Sequence, residues 1–249
     1  MDWLLFLAVI GAGFAAGFIN TLAGSGSALT LPLLVFMGLP ATVANGTNRI
    51  GVLLQTAVST WTFHEKGKMP WREAVFLLIP SVLGGVAGAA IAVDLDEQRM
   101  RQAIGAMLIL TFFLILFDPT RWLKGRVGGA RQPGGKEWIL FFFVGLYGGF
   151  IQAGVGIFML VGLVLVLGNN LMHANAVKSL LVLALNIAAF VVFVRNGQVD
   201  WLLGFVLAIG NIAGARVAAL MATKEWAQVW VYRLLLVVVV YSAVQMFLG

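Results

Sequence analysis

The chain has 249 residues, 61% hydrophobic and 10% charged, with a mean hydropathy of +0.99; soluble domains carry about 25% charged residues, so this composition excludes a soluble enzyme and describes an integral membrane protein. With no cysteine and two histidines it has too few ligands for a thiolate centre, a haem or a dedicated zinc site, so no cofactor, metal or redox chemistry is expected. The net charge of +6 is read as basic cytoplasmic loops and not as a nucleic-acid surface.

In chain order, Asp2 stands where a signal peptide would be basic, so the start reads as mature structure. The apolar region 3–38 exceeds the ~20 residues of one span and is interrupted by the small-residue knot Thr21-Leu22-Ala23-Gly24-Ser25-Gly26-Ser27. After it, residues 28–37 would reach only ~15 Å as helix, half a bilayer. Whole spans fit 43–63, 71–93 and 100–117. Residues 118–137 are rich in Gly, Arg, Lys and Pro without apolar period and read as a cytoplasmic basic linker. A second over-long apolar region, 138–168, is broken by Gln152-Ala153-Gly154-Val155-Gly156, and 157–167 is again half a bilayer long. Whole spans follow at 176–194, 201–222 and 229–248.

Sliding the sequence on itself by 130 residues and comparing 23–92 with 153–222 gives seventeen identities in seventy positions, among them Gly24/Gly154, Gly26/Gly156, Asn45/Asn175, Gly67/Gly197 and Trp71/Trp201. The chain therefore reads as two copies of one unit, residues 1–117 and 138–249, joined by the linker. The predicted class is all-α polytopic membrane protein with a two-fold internal repeat, each repeat a broken or re-entrant helix followed by three transmembrane helices. The short half-helices favour re-entrant hairpins and therefore inverted repeats. Loop charge barely separates inverted from parallel copies.

A helix can break at mid-membrane only where the freed backbone groups are buried in protein or line a wet cavity. Two matching breaks predict a central site, which secondary transporters build at the midplane; the competing reading is that glycine there only permits close helix packing. The half-helix starts after the knots offer free N–H groups to an anion, which brings in Gly24, Ser25, Gly26, Ser27, Gly154 and Gly156. Asn20 and Gln152 precede the knots and either contact the ligand or satisfy freed backbone groups. Arg49 and Lys178, one per copy and offset by one residue, either hold an anion from two sides or snorkel at helix ends. Arg216, His64 and His173 are left without a role. Of the six whole spans only 71–93 has an acidic residue, Glu73, at its edge. Ser25 with a histidine permits an intramembrane hydrolase, but the second copy has Val155 and Ile157 where the serines stand, and no Asp or Asn orients a histidine nearby.

The run Gly-Phe-Ile-Asn-x-x-Ala-Gly-Ser-Gly-Ser with Leu-Pro-Leu-Leu at 17–34, Ala44-Asn45-Gly46-Thr47-Asn48, and the second Gly-Gly-Phe-Ile-x-Ala-Gly-x-Gly at 148–156 resemble the TauE/SafE sulfite-exporter-like transporters over essentially the whole chain. The resemblance implies a multi-pass permease of the cell inner (cytoplasmic) membrane moving sulfite or related organosulfur and small organic anions, usually outward. It carries over Asn20, Gly24, Gly26, Thr47, Asn48, Gly154 and Gly156 as motif positions. The expected partners are a small anionic substrate and the lipid bilayer, with a homo-oligomer allowed and no nucleic acid. A passive anion channel is the alternative mechanism.

Overall fold

The computed structural model describes residues 3–116 and 131–221, and every regular element among them is helical. In chain order these are α1 (Trp3–Ala23), α2 (Ser27–Phe36), α3 (Ala41–Glu65), α4 (Trp71–Val93), α5 (Glu97–Leu116), α6 (Gly135–Phe150), α7 (Val155–Val161, continued by a π turn over Gly162–Val166), α8 (Leu171–Arg195) and α9 (Trp201–Met221). The expected span 229–248 and most of the linker lie outside the described residues.

Both expected breaks are present, at 24–26 and 151–154. The linker is shorter than the composition suggests, because α6 begins at Gly135. Glu137 reaches back to accept the Gly134 N–H at 2.8 Å, which satisfies a donor at the helix start. Among the described residues three helices, α4, α8 and α9, are long and apolar enough to cross a membrane. The span expected at 43–63 is a helix, but α3 falls short of that measure because Asn45, Asn48, Arg49, Gln55, Thr56, Ser59 and Thr62 all lie on it, buried. It is an interior helix, whereas α4, α6 and α9 turn large apolar side chains outward, among them Ile79, Phe143 and Leu202. Such faces suit hydrocarbon and not water.

Helix pairs meet through glycine. Gly13 and Gly17 of α1 abut Leu207 and Asn211 of α9, while Gly210 and Gly214 abut Ile10 and Phe14. Residue numbers rise together, so α1 and α9 run parallel. On the other flank Gly84 lies on Phe142 and Leu146, and Gly88 on Leu146 and Phe150, so α4 and α6 run parallel. Small residues allow this backbone approach, which dispersion and weak polar contacts then reward. Thr47 Oγ1 accepts the Asp200 N–H at 2.8 Å, Gly204 meets Ile50 and Gly51 meets Asn211, and Arg216 reaches Thr62 at 2.8 Å. Helix α3 therefore runs with α9. It runs against α8, since Gly46 abuts Phe193 and Arg49 bonds Asn186, while Gln55 and Ser59 share a cavity with Lys178.

The half-helices turn back along the helices that precede them. A Cβ on Gly26 would strike Ala16 and Asn20 of α1, and one on Gly148 of α6 would lie 2.6 Å from the Val155 side chain. The glycines with positive φ are Gly24, Gly38, Gly67, Gly154, Gly168 and Gly197, three pairs separated by 130 positions in the sequence. L side chains avoid that conformation.

Candidate functional site

The breaks meet at the centre of the fold. Gly24 (φ 79°) and Gly154 (φ 75°) turn the chain, and the Gly156 N–H donates to Gly24 O at 3.0 Å. The backbones are so close that a Cβ on either Gly24 or Gly156 would overlap the other residue. The two knots are thus brought together, as are Asn20, Gly156 and Lys178, which line one small cavity with Thr21, Gln55, Thr56, Ser59, Ser179 and Val182. Its volume is about 10 Å³, the room one water molecule needs. A wider cleft of about 590 Å³ lies elsewhere, at the start of α4 against residues 131–133; it is open and touches neither break.

A helix that stops inside the fold leaves its last carbonyls without partners. The end of α6 is served by α3 from the other half. Arg49 donates to Gly149 O at 2.5 Å, to Gly148 O at 3.3 Å and to Asn186 Oδ1 at 2.9 Å, and Asn45 donates to Phe150 O at 2.8 Å. The Ile151 N–H takes Tyr147 O. The Phe193 ring covers the guanidinium, its centroid 4.7 Å from Cζ, where a cation on an aromatic face is attracted.

The end of α1 is served from the opposite side by α8. Lys178 donates to Asn20 O at 3.2 Å, Thr21 O at 3.0 Å and Asn175 Oδ1 at 2.7 Å. The sequence offered an anion clamp or snorkelling for these two cations. In this structure both are buried, and both bond to helix-end carbonyls. Positive charge there also meets the negative pole of the helix dipole.

Asn48 accepts from Thr30 Oγ1 at 2.5 Å and donates to Ser27 Oγ at 3.0 Å, tying α2 to α3. Thr47 is engaged by the α9 N-terminus. Ser25 Oγ and both amide atoms of Gln152 are buried with no hydrogen-bond partner among the described residues; such groups are uncommon and call for a ligand, water or another conformation. Arg216 pairs with Thr62 and Glu65 at the half-exposed end of α9. His64 contacts Trp61 and Trp71, and Asn170 caps α8 by accepting the His173 backbone N–H; neither histidine is placed against Ser25, whose hydroxyl has no partner among the described residues.

Sequence reading missed Gln55, Thr56, Ser59, Ser179 and Asn186. The signal for the first three is the polar run Gln55 to Thr62 inside an apolar stretch, which reads as a lining only once α3 is known to be interior; Ser179 and Asn186 are isolated polar residues in an apolar helix.

A buried meeting of two broken helices, in a molecule whose described elements are helical and turn apolar side chains outward, is the arrangement that membrane transporters build at the midplane. The family model described as Sulfite exporter TauE/SafE matches residues 9–246, and the chain belongs to that family. It is 30% identical over 218 residues to a probable membrane transporter protein of Haemophilus influenzae, covering 86% of this chain and 83% of that one. It is 29% identical over 248 residues to probable membrane transporter protein ORF9 of Sinorhizobium sp., with 98% and 92% covered. Identity to probable membrane transporter protein YfcA of Escherichia coli K12 is 27% over 224 residues, with 89% and 80% covered. No solved structure matches the chain.

Proposed function

We propose that the protein is a secondary carrier of a small anion, sulfite or a related organosulfur or organic anion, and that it exports this anion across the bacterial cytoplasmic membrane. The observation that carries the reading is the pair of breaks meeting backbone to backbone at Gly24 and Gly156, beside a cavity lined by a buried lysine and no carboxylate. The match to a family described as Sulfite exporter TauE/SafE supports the choice of anion. The ligand enters where the two breaks part, beside Asn20 and Lys178 of the cavity, and meets the unpartnered Ser25 hydroxyl and Gln152 amide of the breaks.

The reading includes two inverted repeats that cross the bilayer several times. Support comes from helix direction: α1, α3 and α9 run one way, and their counterparts 130 residues away, α6, α8 and α4, run the other. The positive-φ glycines pair at the same offset. Because the chain has no cysteine, single cysteines replacing Lys68 and Asn196 in the two corresponding loops are clean reporters. Inverted repeats require membrane-impermeant maleimide to reach Lys68→Cys from the cytoplasmic side and Asn196→Cys from the opposite side. Labelling of both from one side rejects inversion.

The transport reading is tested in proteoliposomes with radiolabelled sulfite, thiosulfate, sulfoacetate, taurine and carboxylates. Saturable flux and counterflow of an anion are expected; flux that neither saturates nor shows counterflow identifies a channel instead. Ser25→Ala removes a hydroxyl that bonds nothing among the described residues, so its melting temperature should stay at the wild-type value. If Ser25 meets the anion, the lost hydrogen bond weakens binding by ~0.5 to 1.5 kcal/mol and the half-saturation concentration rises while maximal flux persists. An unchanged half-saturation removes Ser25 from the site.

A further inference from the structure

Arg49 and Lys178 are the buried charged side chains among the described residues, and they perform one task on the two halves of the molecule. Each fastens the last carbonyls of the helix that precedes a break, reaching across from the other half. The two joints differ in chemistry. A guanidinium stays protonated in proteins, whereas an ammonium has three N–H donors and can give one up. Phe193 covers Arg49; Lys178 lines the polar cavity with Gln55, Thr56, Ser59 and Ser179.

We propose that Lys178 is the proton-binding residue of the carrier, a releasable joint whose protonated form locks the end of α1 to α8 and whose neutral form frees it. The coupling of this joint to anion movement rests on the transport reading above. All three ammonium protons are engaged, on Asn20 O, Thr21 O and Asn175 Oδ1. In the proton-release step an Nζ–H bond breaks, the electron pair stays on nitrogen, and the proton leaves on a water molecule in the cavity as hydronium. The neutral amine has two N–H groups and a lone pair, so one of its three acceptors then faces that lone pair, and the positive charge opposite the α1 dipole is gone. Helix α1 leads directly into Gly24, whose carbonyl holds Gly156 N. Loosening its end loosens the contact between the breaks.

Among the described residues, the cavity around Lys178 offers the proton no other site. From α1 the lysine meets Asn20 and Thr21; α3 presents Gln55, Thr56 and Ser59, α7 presents Gly156, and α8 itself presents Asn175, Ser179 and Val182, none of them acidic or basic. Further along these helices, Arg49 of α3 bonds α6, His64 and Glu65 of α3 contact Trp61, Tyr147 of α6 bonds Ala153 O, the His173 backbone N–H of α8 bonds Asn170, Glu73 of α4 bonds Asn169 and Arg216 of α9 bonds Thr62. Among the described residues no carboxylate lines the cavity beside it, so the ammonium is also the charge that an entering anion neutralises.

The test uses the full chain in nanodiscs and hydrogen-exchange mass spectrometry of residues 18–26, corrected for the intrinsic pH dependence of exchange. Wild-type exchange should accelerate by up to about tenfold per pH unit as pH rises toward the midpoint at which the locked lysine loses its proton, and level off above it, as release of one proton requires. Lys178→Arg keeps a cation that cannot be released and should stay protected across the same range; being charge-conserving, it remains informative if Lys178→Gln fails to fold. A flat wild-type profile overturns the proposal, as does loss of protection in Lys178→Arg along the wild-type curve. In proteoliposomes the probe is radiolabelled methanesulfonate, a strong-acid anion that carries no proton itself. Exchange at equal pH and uptake driven by a pH gradient are measured for each protein, and the ratio of gradient-driven uptake to exchange is expected to fall at least about tenfold in Lys178→Arg. An unchanged ratio in Lys178→Arg overturns the proposal. Wild-type protein that opens with pH but moves no anion overturns the transport reading and leaves the proton-operated joint standing.

Discussion

Replacing Arg49 by methionine is expected to cost the protein more than ~3 kcal/mol and to remove most of the folded population, because removing one partner from a buried charged network leaves the other groups desolvated and unpaired. The partners left behind are the Gly148 and Gly149 carbonyls and Asn186 Oδ1. Each unsatisfied buried acceptor costs ~1 to 3 kcal/mol, and a methionine of similar length offers no donor. Arg49→Lys keeps the charge but not the planar fork that spans two carbonyls and an amide, so its melting temperature should fall between the other two. Thermal unfolding of purified protein followed by size-exclusion chromatography distinguishes the cases. A methionine variant as stable as wild type, but inactive, would return Arg49 to the role of ligand-binding cation that the sequence alone allows.

Gly24→Ala and Gly156→Ala are expected to abolish the folded state or prevent the two breaks from meeting. At Gly24 two penalties combine. The residue has φ 79°, which costs an L side chain roughly 1 to 2 kcal/mol, and its Cβ would lie inside the van der Waals envelope of Gly156, with Ile157 N at 2.8 Å. The obstructing atoms are backbone, so no rotamer change relieves the overlap, and ~1 to 3 kcal/mol of overpacking adds to the strain. Gly38→Ala is the control: φ is 94°, but nothing lies within 4 Å of the added carbon, so only the backbone penalty applies. Fluorescence-detected size exclusion of tagged variants measures the difference. A monodisperse Gly24→Ala peak at wild-type yield would mean that the Gly24–Gly156 contact does not hold the breaks together.

Composition and local pattern alone determined the membrane environment, the helical class and the positions of both breaks. An apolar stretch too long for one span, interrupted by glycines, must release backbone groups, and this is visible within a few residues of Gly24 and Gly154. Which partners satisfy those groups was decided only by tertiary structure. Arg49 is 100 positions from Gly149 and Lys178 is 158 from Asn20, and nothing local states that a cation in one half serves a helix end in the other. The sequence showed two basic residues near helix starts, compatible with an anion or with snorkelling. The crossing of α3 and α8 buries both, and once buried away from any carboxylate a cation takes the nearest acceptors of negative polarity, which here are the free carbonyls of α6 and α1. In the same way Gln55, Thr56 and Ser59 are a polar irregularity in the sequence and a cavity wall in the fold, because only the packing of α3 inside the molecule decides that those side chains face protein and not lipid.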